Sequence, residues 1–153
     1  MFKFLKKKVP QFFSTEEQEE IVDAIKQAEV ATSGELRLYV ESKCSYVNAL
    51  DRAIEIFTKL KMYQTAQRNA VLVYVALKDK QLAVFADEGI YQKAGTQFWN
   101  DKVKQMISHF NKANYAMGLK EVILEIGQSL TEAFPYDATT DKNELPDDIV
   151  YGK

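Results

Sequence analysis

Residues 68–90, RNAVLVYVALKDKQLAVFADEGI, hold two short apolar runs, 71–77 and 82–86, on either side of the polar break Lys78-Asp79-Lys80-Gln81. Each run is too short for a buried helix, is rich in valine and aromatics, and is almost without polar positions. That pattern predicts strands covered on both faces. The break has the length of a hairpin connection, so the two runs are predicted to pair antiparallel. Beyond them the apolar character stops at Asp87-Glu88-Gly89, which places two carboxylates and a glycine at the end of a buried strand.

The flanking segments supply what covers these strands. Ser14-Thr15-Glu16-Glu17 is a capping-box pattern, and Ile21, Val22, Ile25 and Ala28 follow at helical spacing. Ser33-Gly34 is predicted to end that helix with glycine in a left-handed cap. Residues 35–41, ELRLYVE, alternate cleanly and predict a strand with one polar side, closer to an edge than a centre. From 47 to 60 the apolar period is helical again, through Val47, Leu50, Ile54, Phe57 and Leu60. A short helical piece is expected over 90–94, a longer helix over 96–111 and a last one over 115–134, where Pro135 closes it. Helix, strand, helix, hairpin, then helices predicts a compact α/β/α sandwich, a small mixed sheet with helices on both faces.

Length and charge narrow the options. At 153 residues and 46% hydrophobic content, a single domain with a substantial core is expected over 13–135. It is preceded by a basic, flexible segment (1–12) and followed by an acidic, aperiodic tail (136–153). A net charge of −2 argues against nucleic acid as a partner. Four lysines within residues 1–12 support at most weak, salt-sensitive contact with an anionic membrane face. No stretch is long and apolar enough to predict a membrane span, and Cys44 is the only cysteine. A cytoplasmic location is the expectation.

Chemistry points to the end of the hairpin. Asp87 and Glu88 are hard oxygen donors, and Gly89 allows backbone carbonyls to turn inward; Ca²⁺, or Mg²⁺, suits such ligands. Glu35 at the start of the neighbouring strand and Asp101 in the helix after Trp99 are candidates to join them. The competing reading is that Asp87-Glu88 simply caps the next helix. Arg68 either orients an anionic group or pairs with these carboxylates. His109 and Cys44 lack an adjacent nucleophile or base, so covalent catalysis has no support. Phe98 and Trp99 read as core.

Four segments, Ser33-Gly34-Glu35-Leu36-Arg37, Arg68-Asn69 with the valine-rich strand after it, Asp87-Glu88-Gly89-Ile90, and Phe98-Trp99, together resemble the TPM domain. That family is named for thylakoid lumen, photosystem II repair and nicotinic-receptor-modulator members. Asp141-Lys142-Asn143-Glu144-Leu145-Pro146 is similar to the tail of its short bacterial branch, which lacks a signal peptide. Ala70 and Ala86 depart from the glycines usual there, and each added methyl narrows a cleft. The resemblance implies an α/β/α sandwich and, from bacterial members, a non-catalytic calcium-binding and protein-interaction module. A plant member described as an acid phosphatase implies the alternative, metal-dependent hydrolysis of phosphate esters. It further implies metal ligation by Asp87 and Glu88, with Glu35, Arg68 and Asn69 at matching positions. A protein partner is implied too, of the membrane-associated LemA type or TPM type.

Overall fold

A computed structural model describes residues 12–111, 114–136 and 149–152. The elements, in chain order, are α1 (Thr15–Glu29), β1 (Glu35–Glu41), α2 (Ala49–Lys59), β2 (Ala70–Ala76), β3 (Gln81–Ala86), α3 (Glu88–Ala94), α4 (Thr96–Asn111), α5 (Tyr115–Ala133) and β4 (Val150–Tyr151). The strands form one mixed sheet in the order β3-β2-β1-β4. β1 is parallel to β2 and β4, while β2 and β3 form the expected antiparallel hairpin.

Every residue of β2 is buried, because helices cover both sides of it. Alternation sends Val71, Val73 and Val75 to one face, where they join Leu36, Leu38 and Val40 under α1, α4 and α5. Leu72 and Tyr74 face the other way, against Ala53, Ile56 and Phe57 of α2. Burying each large apolar side chain contributes about 1.5–3 kcal/mol, so this strand anchors the domain. Gly127 of α5 lets α1 approach closely, since a Cβ there would lie 2.5 Å from Ala28 Cβ. The α/β/α sandwich read from the sequence is therefore the observed architecture.

Four details differ from the sequence reading. α1 stops at Glu29, with Val30 as a right-handed cap, so Gly34 is not a helix terminator. Gly34 instead makes room: a Cβ there would sit 2.6 Å from Leu130 Cδ2. On α2, Ala49, Ala53, Ile56 and Phe57 face the sheet, whereas Leu50 and Ile54 are exposed and Val47 lies outside the helix. Small alanines allow the helix to pack close, and a count of large apolar residues picks the wrong stripe. β4 flanks β1 only at Tyr39 and Val40, so most of β1 is an outer strand, but Glu35 and Glu41 at its two ends are buried. Finally, residues 150–151 of the expected tail form β4, and Tyr151 stacks on Phe12 with ring centroids 6.1 Å apart. Residues 1–11 and 137–148, the basic segment and most of the acidic tail, lie outside the described residues.

Candidate functional site

The start of β1 and β2 and the end of β3 meet at one end of the sheet. Glu35 is in register with Ala70, and the Asp87 N–H donates to the Ala70 carbonyl at 2.9 Å. Glu35, Ala70 and Asp87 thus occupy adjacent strands in one row, with the alanine methyl between two buried carboxylates. Two strand spacings separate those carboxylate positions, about 10 Å at the backbone.

Arg68 closes on Asp87. Its Nε and Nη2 donate to Asp87 Oδ2 and Oδ1 at 2.7 and 2.8 Å, a bidentate pair, and its Nη1 reaches Glu88 Oε1 at 3.2 Å. Asp87 also caps α3, accepting from the Glu88 N–H at 2.8 Å. Capping and ion pairing are both realised in one side chain. The Asp87 side chain is 4% exposed and that of Arg68 is 44% exposed, so a buried anion is balanced by a cation that water still reaches. Hydrogen bonds to Asp87 raise the pKa of the guanidinium further above its usual value.

The loop that carries Arg68 is tightly tied. Arg68 sits at φ 52°, in the left-handed region that a non-glycine residue rarely adopts. Its carbonyl accepts from the Gly89 N–H at 2.9 Å, and Thr65 Oγ1 accepts from the Asn69 N–H at 3.2 Å. Gly89 permits the approach: a Cβ there would lie 2.2 Å from the Gln67 carbonyl oxygen. Asn69 is buried, with Nδ2 at 3.5 Å from Ser33 Oγ and Oδ1 without a partner among the described residues. Asp101 forms no metal-holding group with these carboxylates. It is exposed on α4 and accepts from Gln97 Nε2 at 2.7 Å. Among the described residues no three His, Cys, Asp or Glu side chains converge in a way that would hold a metal.

A second arginine clamp, which the sequence reading missed, lies at the opposite end of β1. Arg52 of α2 donates from Nε and Nη2 to Glu41 Oε2 and Oε1 at 2.9 and 3.0 Å. The same guanidinium bonds Glu55 and lies over the Tyr39 and Tyr46 rings, 5.9 Å from each centroid. Tyr46 donates to Glu55, and Tyr74 donates to Glu41 at 2.5 Å. Burial, then the bond to Glu41, pushes the Tyr74 pKa far above its usual range. Bonds from Tyr46 and Arg52 lower the pKa of Glu55. One signal was present in the sequence: Tyr74 is the single hydroxyl in the buried run VLVYVA, and a buried hydroxyl needs a partner.

The only histidine, His109, pairs with Glu121 across α4 and α5 at 2.8 Å, and Cys44 Sγ donates weakly to the Tyr46 carbonyl at 3.5 Å. Neither has the nucleophile–base geometry of covalent catalysis. Trp99 is core, edge-on to Phe98 at 4.7 Å between centroids. Among the described residues no helix is long and apolar enough to cross a membrane.

A small mixed sheet between helical layers, with an Asp-Glu-Gly corner closed by arginine, defines an α/β/α domain of the kind the sequence resembles. The TPM domain family model matches residues 8–129, and the chain belongs to the TPM domain family. It is similar to the BA42 protein of the psychrophilic bacterium Bizionia argentinensis, with 37% identity, a TM-score of 0.85, and coverage of 96% of this chain and 100% of that one. An N-terminal domain from P. gingivalis shares the fold at 16% identity and a TM-score of 0.65, covering 81% of this chain and 80% of that one. The N-terminal domain of cg2496 from Corynebacterium glutamicum shares it at 10% identity and a TM-score of 0.63, covering 78% and 74%. No curated protein matches the chain.

Proposed function

We propose that this TPM domain is a non-catalytic, cytoplasmic binding module whose Arg68–Asp87–Glu88 corner exchanges its guanidinium for a hard divalent cation, Ca²⁺ in preference to Mg²⁺. The observation that carries the reading is the mismatch in burial across the clamp. Asp87 is enclosed while the arginine that neutralises it remains 44% exposed, so the counter-charge can leave without dismantling the core. The donor set fits a calcium ion only with Arg68 swung away. Asp87 and Glu88 would then supply carboxylate oxygens, and the remaining coordination would come from backbone carbonyls and water. Two carboxylates on a surface loop suit weak binding, on the order of 10⁻⁴–10⁻³ M. A protein partner, of the membrane-associated LemA or TPM type, is the other half of this reading and rests on the family.

Hydrolysis of phosphate esters would need several ligands around an open metal position with Arg68 free to face a phosphoryl group. Arg68 is closed on Asp87 instead, so binding without turnover is the better supported reading. The test is a Ca²⁺ titration of ¹⁵N-labelled protein. Saturable amide shifts at Arg68, Asp87, Glu88 and Gly89, lost in Asp87→Asn, are expected. A spectrum unchanged to millimolar Ca²⁺ would end the proposal.

A further inference from the structure

β3 is the outer strand of the sheet, with no strand beyond it among the described residues. The Asp87 N–H bonds the Ala70 carbonyl, and hydrogen-bonding direction alternates along an antiparallel pair. Gln81, Ala83 and Phe85 therefore aim their N–H and C=O groups at β2, and Leu82, Val84 and Ala86 aim theirs outward. These outward groups border a groove of about 290 Å³, walled by Leu50 of α2 on one side and by Tyr91, Trp99 and Val103 on the other.

The two edges of the sheet are treated differently. On β1 the Leu36 N–H is satisfied by Glu29 Oε2 at 2.7 Å, and β4 covers the far half of the strand. β3 carries neither proline nor lysine, and its register with β2 runs without a bulge. Proline, lysine and a bulge, three of the usual devices that stop a strand edge from pairing, are thus missing from it. Among the described residues, the helices on either side are what shield it.

We propose that the β3 edge docks an extended, uncharged, apolar-rich segment of a partner protein, added as a further strand beside Leu82, Val84 and Ala86. The chemistry of the occupant follows from the groove. Although 27% of the chain is charged, no described residue lining the groove is, and its polar side chains, Asn48, Asn100, Tyr91 and Trp99, are neutral. An ionised side chain would lose its water there without gaining a partner. The volume lies just below the ~300–1,000 Å³ of ligand pockets, room for one extended chain and not for a folded surface. A second copy presents the same recessed edge, and the helical walls would hold two such edges apart. Backbone pairing would supply affinity, and the apolar wall residues would select alternate side chains. This proposal stands on β3 and is independent of the cation reading.

The experiment uses the full ¹⁵N-labelled chain and a capped hexapeptide of alternating valine and threonine. Amide shifts concentrated at Leu82, Val84 and Ala86 are expected. Methylating the peptide nitrogens that face the edge should weaken binding by about tenfold or more, the worth of two lost hydrogen bonds. Val84→Pro should abolish binding, because proline at an outward-facing position removes a donor that β2 does not use. Should that variant not fold, Leu50→Lys places a charge on the exposed rim and should weaken binding comparably. Silence at these amides with millimolar peptide overturns the proposal, as does equal binding of the methylated peptide. Broadening of the same amides with rising protein concentration, without peptide, overturns it in favour of a second copy.

Discussion

Both ends of the sheet bury a carboxylate under a bidentate arginine, yet the two clamps are built for different lives. Arg52 projects from a helix, is 17% exposed, and is held by Glu41, Glu55 and two tyrosine rings. Arg68 projects from a left-handed turn, is 44% exposed, and is held by Asp87 and the exposed Glu88. The pair chemistry is the same. What differs is how many neighbours must move before the cation can leave, and that separates a structural pair from an exchangeable one.

The comparison can be broken experimentally. Arg52→Met should have the largest effect, about 2–4 kcal/mol, because it strands Glu41 in the interior; urea denaturation reads it, and a loss below that of a surface pair would contradict the account. Gly89→Ala should cost about 1–3 kcal/mol and disturb the Arg68 turn, since its methyl collides with the Gln67 carbonyl. Tyr74→Phe should cost about 1–3 kcal/mol through the lost bond to the Glu41 carboxylate. Arg68→Ala should be milder than Arg52→Met in stability, and should tighten Ca²⁺ binding by about tenfold by removing a competing positive charge. Calorimetric titration checks this; unchanged or weaker affinity would make Arg68 a structural residue.

The smallest effect concerns pH. Tyr39, Tyr46 and Tyr74 have folded pKa values raised above the ordinary 10.0. A raised folded pKa gives stability that is complete below the unfolded value and declines as pH rises above it. Stability should therefore fall above about pH 10, with Tyr74→Phe flattening the decline. Glu55, lowered by Tyr46 and Arg52, works in the opposite sense. Its contribution is present above the ordinary carboxylate pKa and is lost as pH falls through the folded value. Tyrosinate absorbance and melting temperature across pH report both limbs.

Much of this molecule is legible in its sequence where the signal is local. The hairpin follows from the covered runs of β2 and β3, and the Asp87 corner from the abrupt end of apolar character. Long-range choices left weaker traces. The inward face of α2 is set by close alanine packing and by Arg52 reaching Glu41, neither of which hydrophobic spacing records. β4 is two residues joined to β1 across most of the chain, too short for any period to show. Asp101 shows the limit for sites: helical position alone does not place it relative to the carboxylates of the sheet, and its local partner is Gln97, one turn away.

The stack of Tyr151 on Phe12 brings the first and last stretches of the described residues side by side. A short glycine-serine bridge joining those neighbourhoods, with new termini opened at the exposed Lys78–Lys80 turn, should yield a circular permutant that keeps every layer of the sandwich. In such a protein the β3 edge would begin at a free amino end, putting a handle for fusion or immobilisation directly beside the groove.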